Sequence, residues 1–531
     1  MHIALSDLCD EQVAAIGVLA GTDPPKPARK GRMNTGILRA EGNPLERDRR
    51  HRKEAFARLR APYMAVGAIG LAVHGWLAVP LYSWTDRLGA WILLVIVLVQ
   101  LRMFMLTKLR GVPVTLLVAA QLYLYYGVPQ FSQTAMHLIG GVYRPSQHAL
   151  HEAVWLVVIG EVVFLACYHM TCRIERGVNL FDRLIPEPSA TWRAPAFMYA
   201  VPTFVIYCVT SLNPAVIPLS IQHITVQLFN IWILLSLLLY LGYKLHDGKA
   251  RRAAWALIAM MSILGVVQGF TGGIVFPLAM GFMGRWWWGR YNSFGWLMVL
   301  LVAVIIVNPV KNQYRQDTWS STELSSRYVS SLDELGSRLL AWGHAFKVVW
   351  LKGTSGTTHD NLSETAVRAS DLLSFAQVID FVPLGVPYNM GKGMKESLLY
   401  WIPRVLWPSK GSNTQLLYSR YAVEFGYATT EGTKTTTVGA SIFSEGYWNY
   451  GVSGVLIFLA VAGIMLGALL GHNGKNGDAS GVIAMSYLGN NVLLLQALAV
   501  TIPSAISFAV GTIMAWWLVA NVATLQGAKR S

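Results

Sequence analysis

The sequence predicts an all-α polytopic membrane protein, with about twelve transmembrane helices and one large, partly helical loop late in the chain. Three observations predict it. Of the 531 residues, 54% are hydrophobic and only 13% charged, where a soluble domain carries about 25% charged residues. Runs of about 20 apolar residues recur, the length that crosses a bilayer core as a helix. The turns between them alternate between basic and nearly uncharged, as they do when Lys and Arg are retained on the cytoplasmic side. The formal net charge of +15 is then a matter of topology and gives no reason to expect a nucleic-acid partner.

In chain order, residues 1–61 read as a basic, partly disordered cytoplasmic tail. No apolar core of signal-peptide type precedes Pro62. Met33 is a candidate start, and Arg47-Asp-Arg-Arg-His-Arg-Lys53, followed by Arg58 and Arg60, suits anionic lipid headgroups. Residues 62–309 form an N-terminal bundle of about nine spans, beginning near Pro62, Gly89, Val112, Ala153, Ala194, Ile221, Ala253, Thr271 and Phe294. The C-terminal spans, in residues 451–531, begin near Gly451, Val482 and Ile502. Turns at 108–110, 173–193, 244–252 and 285–290, and the end at 529–530, are basic and fall inside. Turns at 83–88, 130–151 and 213–222 hold only Arg87 and Arg144 and fall outside. Both termini are then cytoplasmic and the segment 310–450 emerges outside. Cys9, Cys167, Cys172 and Cys208 all lie away from that segment, and their spacing indicates neither a disulfide framework nor a zinc site.

Residues 310–450 carry 13 Lys and Arg against 12 Asp and Glu, a balance that suits a folded unit. Leu332, Leu335, Leu339, Trp342, Phe346 and Val349 step by three and four along one helical stripe, with Arg338 and Lys347 projecting elsewhere. Ser331 with Glu334 makes a capping box and Gly353 a stop. This stripe is expected to pack on the membrane domain or lie in the interface. A second helix is expected from about Glu364 to Phe381, ended by Pro383. A third runs from about Lys392 to Trp401, stopped by Pro403.

Between Pro403 and Pro408 the chain is bent and stiffened, so Arg404, Trp407 and Lys410 are displayed rather than averaged. A planar Arg fork beside a compact Lys charge suits the oxygens of a diphosphate, and equally suits lipid headgroups. No Asp-x-Asp pair, Walker lysine loop or His-Glu-x-x-His occurs.

The string Pro403-Arg-Val-Leu-Trp-Pro-Ser-Lys410 is preceded by Gly391-Lys-Gly-Met394. A Gly- and Thr-rich stretch follows it, and then Ser444-Glu445-Gly-Tyr447-Trp-Asn449-Tyr-Gly451. Together these resemble the large extracytoplasmic loop of Wzy-type O-antigen and exopolysaccharide repeat-unit polymerases. The motif match covers about 60 residues, and Gly411 stands where family members usually have proline. The resemblance implies a metal-independent glycosyltransferase of the GT-C type in a bacterial inner membrane, with no cofactor. Its donor would be a polyprenyl-diphosphate-linked oligosaccharide, and its further partners membrane lipids and a chain-length regulator protein. Such chemistry needs cations for the departing diphosphate and a base for the acceptor proton. Arg404 and Arg315 are the first candidates for the cations, Lys410 and Arg420 the next, and Glu445 is the candidate base, near the membrane surface and partly buried. Trp407, Tyr447 and His359 complete the candidate substrate-binding set, with His344, His359 and Asp360 as alternative bases.

Two other functions stay open: a flippase or transporter of lipid-linked oligosaccharide, and a ligase that moves finished glycan to a terminal acceptor. Glu161, near the middle of the fourth span, bears on the first, because an intramembrane carboxylate is costly and points to function. A structural ion pair with Arg102 is the simpler expectation. Asp86 stands where many GT-C enzymes keep an acidic residue, yet in so short a turn it also serves as a turn-former. The clusters at 269–273 and 286–288 read as a broken span and an interfacial aromatic anchor.

Overall fold

The computed structural model describes residues 64–65, 67–106, 114–131, 136–138, 141–174, 190–213, 216–218, 225–226, 228–269, 271–289, 307, 309–311, 313–315, 317–318, 332–352, 371–394, 413–430, 433, 439–470, 478–490, 502, 506, 508–517 and 519–521. All of these belong to one compact unit, Ala61–Ser531. The protein is mostly helical, and five of the described helices are long and apolar enough to cross a membrane.

In order these elements are α1 (Gly67–Leu77), α2 (Trp84–Leu106) and α3 (Val114–Leu122), which passes into a π turn at Tyr123–Gly127 and a 3-10 turn at Val128–Phe131. Then come α4 (Gln147–Ile174), α5 (Arg193–Leu212), α6 (Ile231–Tyr243), α7 (Gly248–Val267) and α8 (Thr271–Gly289). The long polar segment supplies α9 (Leu332–Phe346), α10 (Leu372–Phe381) and α11 (Asn413–Glu424). After it come α12 (Ile442–Leu470) and α13 (Asp478–Asn490). The membrane-length helices contain α2, α4, α5, α7 and α12. Their outward faces carry exposed apolar side chains such as Ile159, Val162, Val201, Val205, Ile263, Ile457 and Ile464, as expected where the surrounding solvent is hydrocarbon.

Polar residues start the helices where the pattern requires. Asn230 Oδ1 accepts from the Trp232 backbone nitrogen at 2.9 Å to open α6. Asp247 Oδ1 accepts from Lys249 at 2.8 Å to open α7, and its other oxygen lies 3.0 Å from Arg193 Nε at the start of α5. Turns distant in sequence meet. The ends of α5 and α7 join through Gln268, whose amide reaches the Ser211 carbonyl. The 79–87 turn is tied to 130 by Val79 N to Gln130 O at 2.9 Å.

The expectation of helices alone needs a correction. The 130–151 turn holds a two-stranded antiparallel ribbon, Met136–Leu138 with Gly141–Tyr143, in the register Met136 to Tyr143. A reversal whose innermost pair is Leu138 with Gly141, the glycine at φ +134, closes more readily as a hairpin than as a helix. Sequence also misassigned the buried face of α9. Arg338 is buried with Trp342 and Ala345, whereas Leu339, Leu340 and Phe346 are exposed. Arg338 pairs with Glu334 at 2.5 Å, and Trp342 stacks on Tyr314 at 5.4 Å. The predicted stripe is thus split: Trp342 and Val349 pack with Ile274, Val310 and Tyr314, whereas Leu339 and Phe346 face outward, and the Arg338–Glu334 pair lies within the helix itself.

Helix α12 packs most extensively on α4. The contact is close because it runs over glycine: a Cβ at Gly463 would stand 2.6 Å from the Phe164 carbonyl oxygen, and one at Gly160 would stand 2.3 Å from Leu459. Small residues at such positions let helix backbones approach in a membrane. The helix is also broken. Tyr450 (φ −146, ψ 23) and Gly451 (φ 63, ψ −146) leave the helical region, and a Cβ at Gly454 would meet the Gly446 carbonyl at 2.1 Å. Residues 442–449 therefore turn back against the start of the long half.

Helix α10 closes over the same end of the bundle, between α4 and α12. Its last turn is tied down by Asp380, which accepts from the Tyr143 hydroxyl, from Ser146 N at 2.9 Å and from Ser146 Oγ at 2.6 Å. Replacing Asp380 with alanine removes all three acceptor contacts at a half-open position. The expected cost is about 2 kcal/mol, read as a lower thermal midpoint of the detergent-solubilised protein, with Ser146→Ala giving a smaller part of the same loss.

Candidate functional site

The ends of α2, α4, α10, α11 and α12 come together with the 123–131 turn and the 382–391 turn, and their polar side chains gather there in several pairs. Tyr126 donates to Ser441 Oγ at 3.0 Å, and Asp371 N donates to the Tyr125 carbonyl at 3.2 Å. The 386–391 turn lies on α12 through Asn389 N to Trp448 O at 2.9 Å. Gly391 N donates to Asn449 Oδ1 at 2.7 Å, and the Trp448 indole donates to Pro387 O at 3.2 Å. Gly391 (φ +74) and Gly451 (φ +63) both need the left-handed backbone that glycine adopts without strain. Tyr450 lies over the first and Tyr388 over the second.

Of the residues singled out from sequence, three stand in this group. Tyr447 donates its hydroxyl to Glu152 Oε1 at 3.2 Å. Arg420 Nη1 donates to Asn389 Oδ1 at 3.3 Å, half-buried beneath the same turn. Glu445 is fully buried; its backbone nitrogen donates to Ser441 O and its carbonyl accepts from the Asn449 amide at 2.8 Å. The expectation that Glu445 lies half-open at the membrane surface is therefore corrected. Residues 441–449 are buried on every side, because the reversal at Gly451 presses them between the long half of α12 and the 386–391 turn.

Arg315 stands in a different group, at the turn from α7 to α8. Its Nε donates to the Gly269 carbonyl at 2.9 Å, next to Tyr314, whose hydroxyl reaches Val267 O at 3.0 Å. Asp317 and His344 approach to 4.0 Å beside it. Arg404, Trp407, Lys410, His359 and Asp360 lie outside the described residues. The expected pair of Glu161 with Arg102 is not made: Glu161 is fully buried and neither of its oxygens has a hydrogen-bond partner.

Sequence reading underrated one further set along the N-terminal end of α4. Asp86 is fully buried and lies 2.9 Å from His151 Nδ1. His148 stands 3.7 Å from Glu152, which in turn accepts from Tyr447. Asp86 and His151 are 65 positions apart, so no local spacing joins them. The available signal was a polar run of two histidines and a glutamate, 148 to 152, at the head of an otherwise apolar span.

Residues 193–473, over half of the chain and reaching from the start of α5 to just past α12, match the family described as a domain of unknown function, DUF8712. The chain belongs to the DUF8712 family. No curated protein and no solved structure matches it. In this DUF8712 protein the matched residues include Arg420, Glu445 and Tyr447, while Asp86, His151 and Glu152 come from the preceding helices. The candidate site thus joins the family segment to the part of the chain before it. Chemically it offers a carboxylate–imidazole pair, a tyrosine hydroxyl on a second carboxylate, and a half-buried guanidinium. These groups can bind hydroxyls and phosphate oxygens and move a proton.

Proposed function

We propose that this chain polymerises polyprenyl-diphosphate-linked oligosaccharide repeat units at the outer face of a bacterial inner membrane. In this reading the growing glycan leaves its lipid diphosphate and joins a hydroxyl of a newly arrived unit. About twelve spans, a GT-C type of architecture and an outward-facing 310–450 segment belong to the same proposal. The observation that carries it is the convergence of α10, α11 and the 386–391 turn, all from the polar segment, onto one end of an apolar bundle, where they join Arg420, Tyr447 and Glu152. A substrate whose lipid tail stays in the bilayer presents its sugar and diphosphate at that depth, and the cations wanted there are Arg404, Lys410 and Arg420. Arg315, tied to the Gly269 carbonyl, serves this reading through the shape of the α7–α8 turn. Glu445 is buried one turn before Trp448 and Asn449, whose contacts hold the 386–391 turn.

A transporter of lipid-linked oligosaccharide is the second reading, favoured by the buried, unpartnered Glu161 in the middle of α4. Deleting the gene and locating the lipid-linked glycan separates the two. Single repeat units accumulating on the outer leaflet are the expected result; accumulation on the inner leaflet selects transport, and an unchanged polymer rejects both. With Arg404→Ala, full-length protein is expected at its normal level and polymer to be lost. Long chains made by that variant remove Arg404 from the site.

A further inference from the structure

The start of α2 and the first turn of α4 bring together an acid and an imidazole to which the reaction above assigns no part. Asp86 is fully buried, and its Oδ2 accepts from Ser83 N at 2.9 Å and from Ser83 Oγ at 2.6 Å. Its Oδ1 lies 2.9 Å from His151 Nδ1, and Thr85 Oγ1 is 3.3 Å from the same nitrogen. Each carboxylate oxygen thereby has a partner. His151 is 51% exposed, its ring tilted against Trp155 at 6.3 Å, and its Nε2 has no partner among the described residues.

A neutral imidazole that donates Nδ1–H to a buried carboxylate has its lone pair fixed on Nε2, and the carboxylate stabilises the imidazolium formed when a proton arrives there. A structural histidine would bury its ring or use both nitrogens. Here one nitrogen is locked and the other is left open, on the end of the bundle where the polar segment closes. The titratable and charged groups around it are Asp86 on α2, His148 and Glu152 on α4, Tyr447 on α12 and Arg87. Arg87 is committed to the Gly75 and Tyr82 carbonyls at 2.5 and 3.1 Å and lies over the Trp84 ring. Trp84 itself is largely exposed, next in sequence to Thr85 and Asp86, and offers an apolar face of the kind on which a sugar ring stacks.

We propose that His151, oriented by Asp86, is the base that takes the proton of the acceptor sugar hydroxyl. The inference rests on the polymerase reading and deepens it. In the step, the acceptor oxygen forms a bond to the anomeric carbon of the donor glycan. The bond from that carbon to the diphosphate oxygen breaks with its electron pair staying on the oxygen, so the lipid diphosphate departs as an anion. The hydroxyl proton moves to His151 Nε2, and Asp86 remains ionised throughout. Glu445, the base expected from sequence, is enclosed at the same end, whereas His151 is open to an incoming acceptor.

The test uses the full-length protein reconstituted in vesicles with polyprenyl-diphosphate-linked repeat units. His151→Ala is expected to slow elongation by about 10²- to 10⁴-fold, and added imidazole to restore part of the rate. His151→Asn retains a donor for Asp86 and so guards the fold; it is expected to be as slow as the alanine variant. Asp86→Asn, which presents a donor in place of the acceptor, is expected to slow elongation and to displace the rising limb of its pH profile. His151 variants that elongate at the wild-type rate overturn the inference while leaving the polymerase reading intact. So does a loss that imidazole fails to rescue with the pH profile unmoved, since that marks a structural role. Wild-type protein that fails to elongate overturns the polymerase reading itself, and the base assignment with it.

Discussion

Gly463→Leu is expected to abolish recovery of folded protein, and Gly463→Ala to reduce it. The contact between α12 and α4 is the most extensive among the described helices, and at Gly463 the neighbour is backbone. A Cβ there would stand 2.6 Å from the Phe164 carbonyl oxygen, 3.1 Å from Cys167 Cβ and 3.2 Å from the Tyr168 nitrogen. A rotamer change cannot relieve such a clash, so the helices must separate. One turn later Gly467 faces Thr171 and the Tyr168 carbonyl at 3.0 Å, and separation at one glycine loosens the other. Overpacking a well-packed contact costs typically about 1–3 kcal/mol, and the rigid partner places the leucine variant at or above the top of that range, out of a total stability of about 5–15 kcal/mol. Monodisperse yield by size exclusion in detergent measures it. Gly336→Ala in α9, where an added Cβ meets nothing within 4 Å, is the control and is expected to be neutral or mildly stabilising. A Gly463→Leu variant of wild-type yield and thermal midpoint removes the tight seam from the account.

Stability is expected to fall as pH rises from about 4 to about 7, and Asp371 is the reason. This carboxyl, at the head of α10, has its pKa raised from 3.8 to about 7 by burial. Tyr125, Tyr126, Tyr421 and Tyr427 surround it within electrostatic reach, and none supplies a compensating positive charge. The folded protein therefore keeps a proton that the unfolded chain releases. By linkage this group's contribution is fully present below the unfolded pKa and is lost as pH climbs through the folded one, after which the penalty is constant. The slope cannot exceed about 1.4 kcal/mol per pH unit for one proton, and partial solvent access reduces it. Thermal midpoints at pH 5 and pH 8 measure the effect, with the pH 5 value expected to be higher. Asp371→Asn is expected to flatten the difference; a variant as pH-sensitive as the parent assigns the dependence to another group.

The apolar spans were legible because hydrocarbon solvent leaves a strong, local signature. The helices starting near Gly89, Ala153, Ala194, Ala253 and Gly451 all recur as membrane-length elements, and the stop at Phe381 before Pro383 follows directly from the proline. The site was less legible because its groups are joined by tertiary contact. Asp86 meets His151, Tyr447 meets Glu152 and Arg420 meets Asn389 across distances in sequence that carry no periodic mark. On α9 the stripe was legible only in part: Trp342 and Val349 pack as periodicity suggests, but Arg338, read as projecting away, is buried beside them because its charge is met by Glu334 one turn earlier. Glu445 was misplaced because the break at Tyr450 and Gly451 is a matter of backbone angles, and a hydropathy pattern reads straight through it.

That break also bears on how the chain tolerates change. The final approach to the long half of α12 is a hairpin stitched by Gly446 and Gly454, and that half is seated on α4 by contacts of its own at Gly463 and Gly467. Sequence drift in the polar insert can then retune what is recognised while Gly463 and Gly467 continue to meet the same partners.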